Sequence, residues 1–169
     1  LGEDLDMKHL SNRKKSFEIF CNSVTFLEEF AFNLEVELLI ENNVITTSNL
    51  LRFNQNPLLL CDPIEIIEFF KLVPDRVKLL LDVAHLQISA NTLGFEAKKA
   101  LEALSPFVNG YHLSENDGTS DTNNCINFKS WFWKYLNPHA GFYTIEVYNT
   151  NEKVLRSQIE IAKQMIYEN

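Results

Sequence analysis

The chain is poor in the features that mark several large functional classes. Glycine is scarce, 5 in 169 residues, and there is no glycine-rich loop of the kind that cradles a phosphate with backbone N–H groups. Basic charge is scarce as well: 15 Lys and Arg stand against 23 Asp and Glu, a formal net charge of -8. The longest basic cluster is Arg13-Lys14-Lys15. Duplex nucleic acid needs a basic footprint to displace its counterions, so this balance counts against nucleic acid as a partner. Cysteine is limited to Cys21, Cys61 and Cys125, an odd number without CxxC spacing. That usage reads as reduced thiols in a cytoplasmic protein. No apolar run reaches the roughly 20 residues of a membrane span. The opening LGEDLDMKHL is unlike a secretion signal, and without Met at position 1 the natural chain is expected to begin earlier.

What the chain does have is apolar bulk. Hydrophobic residues make up 46% and aromatics 12%, enough for a core in one domain spanning 1–169. Residues 14–33 place Phe17, Phe20, Val24, Phe26, Leu27 and Phe30 at helical spacing, which predicts an amphipathic helix with those residues buried. The run EVELLIENN (35–43) predicts a strand. Asp62-Pro63 supplies an N-cap and a first-turn proline for a helix over 64–72, and VKLLLD (77–82) reads as the next strand. A helix over 95–105, a strand over 107–114, a helix over 127–137, a strand over 141–149 and a helix over 151–169 complete the series. Strands that are apolar nearly throughout and alternate with helices point to an α/β fold with a parallel sheet. The connections 42–61 and 115–127 are long for such a fold, and both follow strands.

Ionisable residues fall at the ends of these strands. Glu41 and Asp82 end theirs, while His112 and Glu146 lie near the ends of theirs. In a parallel α/β sheet the strand C-termini share one side, where ligands bind. Singly, each residue has a structural explanation as a cap, an ion-pair partner or a hydrogen-bonded histidine. Together, three converging carboxylates repel unless a cation neutralises them. One divalent metal ion is therefore the expected cofactor, with Glu41, Asp82, His112 and Glu146 as its ligands. Three carboxylates and an imidazole suit Mn, Co, Mg, Fe or Zn, and the lack of cysteine counts against a structural zinc.

The motifs LLIEN (38–42), LLLDVAH (79–85), YHLSENDG (111–118) and YTIEVY (143–148), in this order, resemble the second half of a xylose isomerase-like TIM barrel. That superfamily includes sugar isomerases, ketose 3-epimerases and endonuclease IV. The resemblance implies a (β/α)8 barrel of which this chain matches only the C-terminal part, strands four to eight, with a degenerate seventh strand around Asp121 to Ile126. Such barrels need about 250 residues, so the chain is expected to be a fragment of a longer one; a homo-oligomer, or a separate N-terminal half, would complete it.

By the same resemblance Glu41 and Glu146 are the catalytic acid and base as well as metal ligands, and His85 binds substrate. The implied activity is a metal-dependent sugar or sugar-phosphate isomerase or epimerase, moving a proton beside a metal-polarised carbonyl of a small sugar-like substrate. Three alternatives remain at this level. An endonuclease IV-like phosphodiesterase would use Asp121, but Asn123 stands where its histidine would be. A multinuclear iron oxygenase is faintly echoed in LLLDVAHLQISANTLGFE. A non-catalytic barrel could keep the fold as a scaffold. Trp131, Phe132, Trp133 and Tyr135 are either a sugar-facing aromatic run or core, and Asn116 and Tyr148 are candidate substrate contacts.

Overall fold

The structure is a computed structural model that describes residues 10–148 and 150–167. The stretch on which the absence of a secretion signal was argued lies almost wholly outside the described residues, as do the ends of the last strand and helix at Asn149, Glu168 and Asn169.

Among the described residues ten α-helices and strands follow one another: α1 (Arg13–Asn33), β1 (Leu39–Glu41), α2 (Thr47–Phe53), α3 (Pro63–Leu72), β2 (Lys78–Asp82), α4 (Val83–Leu93), α5 (Ala97–Leu104), β3 (Val108–Leu113), β4 (Phe142–Ile145) and α6 (Glu152–Tyr167). The four strands form one sheet in the order β1-β2-β3-β4, and every pairing is parallel. The α/β class and the parallel sheet agree with the sequence, and the sheet is open rather than closed into a barrel.

Strand periodicity divides this sheet into two chemically different faces. Paired residues of parallel strands point the same way, so the registers Glu41↔Leu80, Asp82↔His112 and His112↔Thr144 put Glu41, Leu80, Asp82, His112 and Thr144 on one face. Leu79, Leu81, Tyr111 and Leu113 occupy the other face and are fully buried. There they join Ile66, Phe69 and Phe70 of α3 and Ala100, Leu101 and Leu104 of α5 in one core cluster. Asn12 caps α1 by accepting from Lys15 N, and Asp62 caps α3 by accepting from Ile64 N with Pro63 at the first position.

Several expectations are corrected. Residues 127–137 do not form a helix: they are turns ending in a 3-10 turn at Trp133–Tyr135. The reason is packing, because Phe132 and Trp133 are core residues and the preceding Trp131 packs against the same core, whereas successive helical residues diverge by about 100°. Trp133 Nε1 donates to Asn127 O at 2.8 Å, which closes the turn. No strand forms at 121–126 either. That segment is a loop fastened by an isolated antiparallel bridge between Glu115 and Asn124, and β4 pairs directly with β3. The four strands therefore occupy consecutive positions with no gap for an intervening one.

The first strand is only three residues long, since Glu35 turns the chain with a positive φ of 56° after α1. On α1 the buried residues are Cys21, Val24 and Glu28, while Phe26, Leu27 and Phe30 are exposed. Glu28 takes the buried position because Arg76 reaches it with two hydrogen bonds, Nε to Oε1 at 2.5 Å and Nη2 to Oε2 at 3.0 Å. Two helices, α2 and α4, lie in stretches that the periodicity did not mark as helical. Among the described residues no helix is long and apolar enough to cross a membrane, and the three cysteines are free thiols.

Candidate metal centre

The strand ends build the site. Glu41 closes β1, Asp82 closes β2, His112 is the fifth residue of β3, and Glu146 directly follows β4. Glu146 N still donates to Leu113 O at 3.1 Å, so its position is set by the sheet. One ligand atom from each of the four residues can be chosen so that all lie within 4.8 Å of one another. Sequence and structure thus bring the same four residues together, and they do so because their strand positions share one face.

Asp82 anchors the cluster. It is fully buried, and its two oxygens differ. Oδ1 accepts from His85 N at 2.8 Å as the N-cap of α4. Oδ2 is buried with no hydrogen-bond partner, with the imidazole nitrogens His112 Nδ1 and His85 Nε2 at 3.9 and 4.0 Å. Burial pushes the Asp82 carboxyl up to about 6, against the pull of His85. An orphaned buried carboxylate oxygen is rare and costly, and here it points into a ring of further donors. The donor set fits a divalent cation on this ground.

His112 presents Nδ1 to the same space, 2.7 Å from Glu146 Oε2 and 3.3 Å from Glu41 Oε1. The nitrogen nevertheless lacks a well-directed hydrogen bond, so these approaches are close charge contacts rather than oriented bonds. The Glu41 carboxylate, ahead of burial acting the other way, raises the imidazole pKa. Glu146 is steadied by Tyr148, whose hydroxyl donates to Oε1 at 2.8 Å.

His85 stands beside the cluster, not in it. Its Nδ1 is 3.0 Å from Asn42 O, and its Nε2 is 3.3 Å from Asp121 Oδ2. Burial alone would lower this imidazole, but the bond to Asp121 and the charge of Asp82 outweigh it and lift it to about 9. Asp121 is brought there by a loop tied at several points. Asn116 Nδ2 donates to Ala84 O, Gly118 N donates to Asn116 Oδ1, and Asn91 Nδ2 donates to Gly118 O, each at 2.8 Å. Asn116 therefore shapes the loop. Phe132 and Trp133 are core residues, and Trp131 and Tyr135 pack against that core.

Two residues of this surround were not assigned from sequence. Asn42, only 2% exposed, follows Glu41 and holds the backbone of Asp82. By resemblance Asp121 is half of a nuclease-type pair and the start of a degenerate strand, whereas here it faces His85 from a loop. An asparagine after a strand-end ligand carries no periodic signal, and Asp121 belongs to a loop far from His85 in sequence.

No family description and no curated protein sequence matches the chain. Solved structures do. A Thermus thermophilus protein soaked with zinc chloride aligns at TM-score 0.58 and 17% identity, over 92% of this chain and 58% of its own. A candidate xylose isomerase from Rhodospirillum rubrum aligns at TM-score 0.64 and 16% identity, over 90% and 54%. D-psicose 3-epimerase from Clostridium cellulolyticum, determined with D-tagatose, aligns at TM-score 0.63 and 16% identity, over 96% and 60%. The chain thus spans a little over half the length of these proteins. At such identities the likeness establishes the fold alone: an open α/β sheet corresponding to part of a TIM barrel of the kind these neighbours have.

Proposed function

We propose that this chain is the metal-binding part of a divalent metal-dependent sugar isomerase or epimerase, and that further chain or a partner completes the barrel. The observation that carries the proposal is the convergence of Glu41, Asp82, His112 and Glu146 around the unpartnered Asp82 Oδ2. The named activities of two structural neighbours support the same class.

A cation held by these four residues supplies Lewis acidity toward a substrate carbonyl oxygen. The chain's own groups then divide the remaining work. Glu41 and Glu146 come from the two outer strands of the four, so they enter the site from opposite sides. One takes the proton from the carbon next to the carbonyl, and the other returns a proton to the reacting pair. Asp82 has one oxygen committed to the helix cap, so it holds and does not transfer. His85, fixed at Nδ1, offers Nε2 toward the site mouth, where a substrate hydroxyl would compete with Asp121.

Among the described residues these four form the one group of three or more side chains whose ligand atoms lie close enough to share an ion. Elemental analysis of purified protein and of Asp82→Ala tests the proposal. About one metal per chain, absent from the variant, is expected. No bound metal together with no thermal shift on adding Mn²⁺, Co²⁺ or Zn²⁺ sinks it, and two or three ions per chain would move it to the multinuclear class. In the complete protein, Glu146→Gln is expected to abolish epimerisation while keeping the fold; an unchanged turnover would point to a different base.

A further inference from the structure

Asn42 sits at a junction that the four ligands do not explain. The β1–β2 ladder ends at the pair Glu41↔Leu80, short of Asp82. Beyond that point the backbone N–H and C=O of Asp82 have no strand to pair with on the β1 side, yet the residue is fully buried. The Asn42 side chain takes the place of the missing peptide. Its Oδ1 accepts from Asp82 N at 2.7 Å and its Nδ2 donates to Asp82 O at 3.1 Å. A primary amide on so short a stem offers a donor and an acceptor on two separate atoms, as a peptide group does.

The same residue also holds His85. Asn42 O lies 3.0 Å from His85 Nδ1, and a carbonyl oxygen only accepts, so Nδ1 carries the proton in that bond. Asp82 Oδ1 accepts from His85 N at 2.8 Å and closes the triangle. Asn42, Asp82 and His85 are therefore joined pairwise by four hydrogen bonds that engage both oxygens of Asn42 and all the polar atoms of Asp82 except one. The exception is Oδ2, the atom aimed at the other ligands.

We propose that Asn42 is a positioning residue that holds the Asp82 backbone, so that the carboxylate presents Oδ2 alone to the site, and that orients the His85 ring by accepting from its Nδ1, an inference that rests on the metal-site reading above. Its bonds run from the residue next to one ligand to the backbone of another, so it also sets the spacing of Glu41 and Asp82. Residues that orient ligands in this way alter metal affinity about 10- to 100-fold when removed.

The test compares Mn²⁺ binding by calorimetry with thermal stability in wild type, Asn42→Ala and Leu104→Ala, the last a fully buried core residue of α5. Asn42→Ala is expected to weaken Mn²⁺ binding by at least about 10-fold, while Leu104→Ala lowers the melting temperature and leaves Mn²⁺ affinity unchanged. Equal affinity in wild type and Asn42→Ala would overturn the proposal. If Asn42→Ala does not fold, Asn42→Ser is measured in the same way. Two wild-type NMR signals need no metal: the Asp82 amide should exchange slowly, and His85 Nδ1 should carry a proton. A wild type that binds none of Mn²⁺, Co²⁺ and Zn²⁺ but gives both signals would sink the metal-site reading and leave the positioning triangle standing. A fast Asp82 amide or a bare Nδ1 would sink the triangle itself.

Discussion

At the scale of the residue, Asp82 shows function set against stability. A fully buried carboxylate with an unpartnered oxygen is destabilising, and only a cation at that oxygen offsets the cost. Asp82→Asn keeps an oxygen to cap α4, because asparagine caps as well as aspartate, and it removes the buried charge. The metal-free variant is expected to be more stable than wild type by on the order of 1 kcal/mol, read by chemical denaturation, while Mn²⁺ binding is lost. A less stable metal-free variant would contradict this account. The convergence of Glu41, Asp82, His112 and Glu146 was legible from sequence because each stands at or near the polar end of an apolar run, where burial without a purpose is expensive. Asn42 was not legible, since nothing in its neighbours shows that its amide pairs with a backbone 40 residues away.

At the scale of the element, helices were readable where one face is polar and unreadable where none is. In α4 Val83, Ala84, Leu86, Ile88, Ser89 and Ala90 are all buried, so no apolar stripe stands out, although Asp82 and Gly94 mark its two ends. In α1 the apolar spacing gave the helix but not its orientation, because Glu28 is drawn inward by Arg76. Arg76 also lies 4.1 Å from the centre of the Phe32 ring. The Arg76 hydrogen bonds hold the Glu28 carboxyl below its ordinary 4.5. A carboxylate with a lowered folded pKa stabilises fully above the unfolded value and loses that contribution as pH falls through the folded one. Wild type is thus expected to melt above Glu28→Gln by a constant margin from neutral pH down to about 5, and the margin should shrink at lower pH. A margin that did not change with pH would remove the ion pair as its cause. The loop carrying Asp121 has its own constraint. Gly118 has φ +79°, and a Cβ there would meet Asn91 Nδ2 at 2.4 Å. Gly118→Ala should cost about 1–3 kcal/mol in thermal unfolding and loosen the approach of Asp121 to His85.

At the scale of the whole molecule, the α/β class, the parallel sheet and the end of the sheet where the polar residues gather were readable, because nearly continuous apolar runs and strand-end polarity are local signals. The four strands are those that the apolar runs predict, while the further strand that the resemblance implies does not form. The segment 121–126 has strand-like composition only in part, and its backbone is already engaged with Glu115 and Tyr148 through bonds that the sequence does not announce. The resulting sheet has β1 and β4 as its outer strands, and the four ligands reach from Glu41 to Glu146 along the chain. An ion at their centre would therefore act as a cross-link, a noncovalent staple joining four distant points of an open sheet and forbidding its strands to part separately. Because the unfolded chain cannot gather those points, binding energy becomes folding energy. At a free Mn²⁺ concentration about 100 times Kd, the gain should be about 2.7 kcal/mol. It should appear as a rise in melting temperature that EDTA reverses and that Glu146→Gln diminishes, so a thermal melt alone can report whether the site is filled.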